Sequence, residues 1–182
     1  MIKIEGDGVY IEETFVNTIS EKTNRDKVDL FINQKINFTN TLNVNTPTIE
    51  TQIGTTLNHS YGIGLGVYFI PSSIKYKGST YQNIIEVTNS FAYTFIPGSL
   101  FHPKVELGAG GGSVQVTNSS AANKVNYFIF AKLFIGAEVN ITHYLRAGFG
   151  LGYKYNLVSQ CSEYLKKGNA FDLGVSVLFK TF

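Results

Sequence analysis

Tyr127–Val158, YFIFAKLFIGAEVNITHYLRAGFGLGYKYNLV, is the stretch that decides the fold. Its first half puts Tyr127, Ile129, Ala131, Leu133, Ile135, Ala137, Val139 and Ile141 on one parity. Lys132, Gly136, Glu138 and Asn140 fall on the other, with Phe128, Phe130 and Phe134. After Thr142-His143-Tyr144 the pattern resumes, with Leu145, Ala147, Phe149, Leu151, Tyr153, Tyr155 and Leu157 against Arg146, Gly148, Gly150, Gly152, Lys154 and Asn156. Side chains on a strand alternate faces, so one face is wholly apolar or aromatic and the other collects charges and glycines. Each run exceeds an ordinary strand of about five or six residues and reaches the roughly 9–11 that cross a bilayer at a tilt.

The pattern repeats outward from this hairpin. Ile49–Leu57, Tyr61–Phe69, Ile85–Phe95, Val105–Ala109 and Leu173–Phe179 show the same alternation. Asn58–Ser60, Pro97–His102 and Thr142–Tyr144 read as short turns, whereas Pro71–Gln82, Thr117–Asn126 and Ser159–Ala170 read as longer polar loops. Short turns on one side and long loops on the other are the asymmetry of membrane barrels. An eighth strand is required, because an open sheet edge in hydrocarbon strands its backbone groups. Lys27–Thr39 fits better than Gly8–Thr18, which would aim Glu12 or Glu13 at lipid. The predicted fold is an all-β, transmembrane, antiparallel up-and-down β-barrel of eight strands over residues 27–182. Met1–Asp26 is read as an N-terminal extension.

Composition agrees. Of 182 residues only 15% are charged while 14% are aromatic, with 18 Gly. An average soluble domain carries about 25% charge. No run approaches the roughly 18 apolar residues of a membrane helix. Net charge is +2, and no basic run or RNA-binding motif points to nucleic acid. No apolar signal segment is visible at the N-terminus, so a removed signal peptide is expected for an exported protein.

The polar parity carries Asp29, Glu50, Glu86, Glu106, Glu138 and Asp172 with Lys35, Lys104, Lys132, Arg146 and Lys154. Near-balanced charge on the inner face of so narrow a barrel predicts an ion-pair network that fills the lumen, glycines giving the long side chains room. A small gated pore is the alternative, opened by re-pairing of Glu138 or Glu106 with Arg146 or a lysine. A soluble lipocalin-like carrier would need the bulky apolar face inside, where it would overfill the bore.

No catalytic, cofactor or metal site is expected. His59, His102 and His143 fall in separate turns without zinc-ligand spacing. Ser113, Ser119 and Ser120 lack a nucleophile motif and lie at the opposite rim from the histidines. Gly108–Gly112 lacks the GK[ST] of a phosphate loop and reads as close strand packing. Cys161 is the single cysteine, in the last long loop with Lys166 and Lys167.

Several motifs resemble the OmpA-like outer-membrane β-barrel family, including the opacity-type surface porins. They are Ile53-Gly54, Tyr61-Gly62-Ile63-Gly64-Leu65, Phe91-Ala92-Tyr93-Thr94-Phe95, Phe101-His102-Pro103-Lys104-Val105-Glu106-Leu107-Gly108-Ala109-Gly110, Ile135-Gly136-Ala137-Glu138 and Gly150-Leu151-Gly152-Tyr153-Lys154-Tyr155, in that order. The chain ends on Phe182, which in that family is the signal read by the barrel assembly machinery. Lys180 departs from it, standing where an aromatic is usual, with Phe179 beside it. The resemblance implies a monomeric bacterial outer-membrane barrel, bathed in outer-membrane lipid, with a structural or adhesive role and loops that meet host or surface ligands. It implies no enzyme activity.

Overall fold

Period-two alternation gives long strands that can satisfy their backbone groups only by pairing, and the pairing closes on itself. The computed structural model describes residues 2–5, 8–11, 28–118, 121–161, 164 and 168–180. A small hairpin, β1 (Ile2–Glu5) with β2 (Gly8–Ile11), forms a separate two-stranded sheet. The barrel strands are β3 (Val28–Thr41), β4 (Val44–Leu57), β5 (Tyr61–Ile70), β7 (Ser79–Thr94), β8 (Phe101–Asn118), β9 (Ala121–Asn140), β10 (Leu145–Ser159) and β11 (Ala170–Lys180). A short strand, β6 (Ile74–Tyr76), pairs only with the start of β7. Each long strand pairs with its sequence neighbour, β11 returns to β3, and β5 pairs directly with β7. Eight antiparallel strands therefore form a closed ring with no free edge along the span.

The alternation is oriented as the apolar face requires. Val175 is 59% exposed on the outside, whereas Glu50 is 3% exposed inside. Leu133, Phe149, Leu151 and their neighbours form an outer wall of large apolar groups. Such a surface is stable in hydrocarbon and not in water. The barrel is a transmembrane one, and an apolar-lumen carrier is ruled out by the direction of these side chains.

Three expectations need correction. The turn after β7 ends at Leu100, so His102 belongs to β8 and is completely buried on the inner face. Hydrogen bonding of β8 to β9 carries both strands through most of the expected loop Thr117–Asn126, Asn118 pairing with Ala121. The expected loop Pro71–Gln82 likewise contains the β6–β7 hairpin, turning at Lys77-Gly78, both with positive φ (47° and 77°). A second tight turn, Leu42-Asn43, also has two positive φ values (52° and 59°), the signature of the primed turns that match strand twist. The register slips between Gln82 and Ile85 around Asn83, whose φ is 51°. This bulge lets Tyr81 and Ile84, three apart, both point inward.

The glycines serve aromatic rings more than charges. Phe31 is paired with Gly54, Phe128 with Gly112 and Phe130 with Gly110. A Cβ on Gly54 would lie 2.7 Å from Phe31 Cζ, and one on Gly112 would lie 2.6 Å from Phe128 Cζ. These three rings lie across bare backbone, whereas the inward Tyr68 lies between Glu50 and Glu86.

Two outcomes follow from this packing. Leu151→Arg, on the outer wall, should cost about 2–4 kcal/mol near the midplane, and Ser73→Arg in an exposed connection should stay within about 0.5 kcal/mol. Equal midpoint shifts for the two, in denaturant unfolding followed by circular dichroism in micelles, would contradict the orientation. Gly54→Ala should cost about 1–3 kcal/mol by overpacking. Gly62→Ala, whose added Cβ would find its nearest atom at 3.5 Å, should be close to neutral.

Candidate functional site: the filled lumen

Inward parity delivers charged side chains from every barrel strand but β5 into one narrow space, where they meet in alternating sign. Arg146 Nη1 on β10 donates to Glu138 Oε2 on β9 at 3.1 Å. Lys104 Nζ on β8 donates to the other Glu138 oxygen at 2.9 Å and lies 3.5 Å from Glu106. Lys35 Nζ on β3 donates to Glu106 at 2.9 Å and lies 3.5 Å from Glu50 on β4. Lys132 Nζ on β9 donates to Glu50 at 3.0 Å and lies 3.5 Å from Asp172 on β11. The row ends on Thr39, which donates to Asp172 at 2.7 Å and shares a 2.9 Å hydrogen bond with Tyr68. Eight charges thus form one unbroken series running from the short-turn end towards the long-loop end.

Two of these bonds cross the bore. In the closed ring β3 and β8 are diametrically opposed, as are β4 and β9. Lys35–Glu106 and Lys132–Glu50 therefore span the lumen at direct hydrogen-bond distance. Gln52 braces the same level, donating to Ser90 and, at 3.4 Å, to Glu106.

Lys154 and Glu86 form a separate pair nearer the long-loop end. The Lys154 ammonium lies 5.5–5.9 Å from the ring centroids of Phe128, Phe130, Tyr68 and Tyr164. Four rings within about 6 Å of a cation are favourable cation–π contacts, strengthened by the exclusion of water. Above this cage lies an apolar cluster of Leu42, Ile70, Ile74, Tyr81, Ile84 and Val114, with Tyr164 packed in from the last loop. Burial pushes the Tyr164 phenol up to about 12. Cys161 is half-buried against this cluster.

The structure thus brings together Lys35, Glu50, Lys104, Glu106, Lys132, Glu138, Arg146 and Asp172 in one series, and Glu86 with Lys154 in a second contact. Three contributors were missed in the sequence. Lys180 shares the inner parity and is buried, but was not grouped with the other charges. The Phe128, Phe130 and Phe134 rings sit on the polar parity, where aromatic residues look like noise. His102 lies 3.8 Å from Glu138, hidden by a turn boundary misplaced by two residues. His59 and His143 do lie in turns, and no metal-ligand cluster occurs among the described residues. Ser113 lies in β8, not in a loop, and Ser119, Ser120, Lys166, Lys167 and Phe182 lie outside the described residues.

Truncating a group with one partner should hurt more than truncating one with several. Glu86→Ala leaves the buried Lys154 without its carboxylate and should cost about 3–5 kcal/mol. Arg146→Ala should cost less, because Glu138 keeps Lys104 at 2.9 Å. Glu86→Leu combined with Lys154→Met should recover most of the loss, since an apolar pair needs no desolvation of charge. The chain has no Trp, so unfolding is best followed by circular dichroism. Equal costs for the two alanine variants would contradict this reading of the network.

No family model and no curated protein matches the chain. Solved structures do. Neisserial surface protein A (NspA) superimposes with a TM-score of 0.60 at 12% identity, covering 85% of this chain and 97% of its own. Ail, the attachment invasion locus protein of Yersinia pestis, solved in complex with the heparin analogue sucrose octasulfate, gives 0.56 at 10% identity, covering 86% and 99%. A major outer membrane protein from Thermus thermophilus gives 0.56 at 10% identity, covering 85% and 99%. At such identities the likeness is one of fold, and this chain shares the eight-stranded barrel architecture of these outer-membrane proteins.

Proposed function

We propose that this protein is a bacterial outer-membrane surface barrel with a structural and adhesive role and a plugged lumen, and that it is not an enzyme. One observation carries the plug: Lys35–Glu106 and Lys132–Glu50 join opposite walls at 2.9 and 3.0 Å. An ion crossing the bore would have to break both contacts and displace the aromatic cage around Lys154. A cavity at the short-turn end measures about 20 Å³, room for roughly one water. The adhesive part of the reading leans on the OmpA-like and opacity-type resemblance and on the fold shared with a surface protein and an attachment protein. In it, the long-loop end contacts host or surface ligands, outer-membrane lipid surrounds a monomer, and the assembly machinery reads Phe182.

Planar bilayer recordings test the plug. The purified barrel is expected to give no steady conductance, only brief leakage. Steady, ion-selective channels would reject the plug and make the protein a small porin. For the adhesive role, cells displaying the barrel should bind epithelial cells or matrix-coated wells better than cells lacking it. Equal binding would remove that part of the proposal.

A further inference from the structure

We propose that the short-turn end of the lumen is a binding site for one small monatomic anion, of halide size, held by Lys180 and Arg146. Lys180 points into the barrel from the end of β11, only 9% exposed. Its Nζ has no hydrogen-bond partner among the described residues. It lines the cavity of about 20 Å³ together with Arg146, Lys104, Glu106, Glu138 and Thr94.

The carboxylates at this end are already engaged. Glu138 holds Lys104 at 2.9 Å and Arg146 at 3.1 Å. Glu106 is held from the far wall by Lys35 at 2.9 Å. Asp29 lies 2.7 Å from His59 Nδ1 and accepts from Thr56 at 3.4 Å. Among the described residues that line the cavity, three cations therefore face two carboxylates, one of them shared across the lumen, with Asp29 outside the lining as the further carboxylate that acts on Lys180. A buried charge without a counter-charge is costly. An anion beside Lys180 and Arg146 removes that cost, with the Thr94 hydroxyl as a further lining donor. Size sets the class: a space for about one water admits a halide and excludes phosphate, sulfate or a carboxylic acid.

The test is thermal unfolding of the intact barrel in neutral micelles, at constant ionic strength, in sodium chloride or bromide against sodium gluconate. A ligand bound only by the folded state raises the midpoint. The wild type is expected to melt a few degrees higher in halide, and Lys180→Met to lose that difference. Equal wild-type midpoints in halide and gluconate would overturn the site. So would a halide response retained in full by Lys180→Met, the mark of a general salt effect on the barrel. Should Lys180→Met not fold, bromide anomalous scattering from wild-type crystals decides. A peak within hydrogen-bond distance of Lys180 Nζ supports the site, and no peak there overturns it.

Discussion

A closed barrel with an apolar outer wall leaves its ionisable groups only one place to go, and with eight strands that place is barely wider than the side chains themselves. Everything else about the interior depends on this. In a bore that narrow a charge cannot stand in water, so it must touch an opposite charge. The series from Arg146 to Asp172 is the consequence: each member inside it lies between two groups of opposite sign. The same narrowness favours the Phe–Gly pairings, because a ring lies flat most readily where the facing residue has no Cβ.

The interior is graded along the axis. At the short-turn end lie the excess cations Arg146 and Lys180, in the middle the balanced series, then Lys154 in its ring of aromatics, and finally an apolar cap of Leu42, Ile74 and Tyr164. The chemistry changes along this order. At the short-turn end the buried Lys180 ammonium has no hydrogen-bond partner among the described residues. Nearer the long-loop end the Lys154 ammonium is held by one carboxylate and four rings.

Much of this was legible in the sequence, for a local reason. Period-two alternation is a property of neighbouring residues, so Tyr127–Val158 reveals its two faces without any knowledge of pairing. The choice of Lys27–Thr39 as the first strand, which the structure runs from Val28 to Thr41, also follows locally, because the competing segment would put a glutamate into lipid. Arg146–Glu138 could be guessed from adjacent strands across a short turn. Lys35–Glu106, 71 residues apart, could not, since it depends on ring closure and strand stagger together. Aromatic residues on the polar parity were equally opaque, as Phe128 and Phe130 become meaningful only when Gly112 and Gly110 are known to face them. Strand ends failed for a different reason: polar residues outside the bilayer still pair, so Val116 with Lys124 reads as loop by composition and is strand by hydrogen bonding.

That last failure bears on how the barrel presents itself. Strand β9 has 20 residues and β8 has 18, whereas about 9–11 cross the bilayer. At about 3.3 Å per residue, β9 is about 66 Å long along its own axis, and a tilt near 45° still leaves about half of its height beyond an apolar band about 25 Å tall. The excess lies at the long-loop end, where β6, β7, β8 and β9 continue as hydrogen-bonded sheet. The same end holds the apolar cap, so the projecting sheet stands on a filled base. The proposed plug and the projection would then be two sides of one construction. Tyr81, Ile84, Val114 and Phe128 pack together against the inner face of the strands that project, so the sheet there is ordered from within by apolar contacts as well as by its own hydrogen bonds.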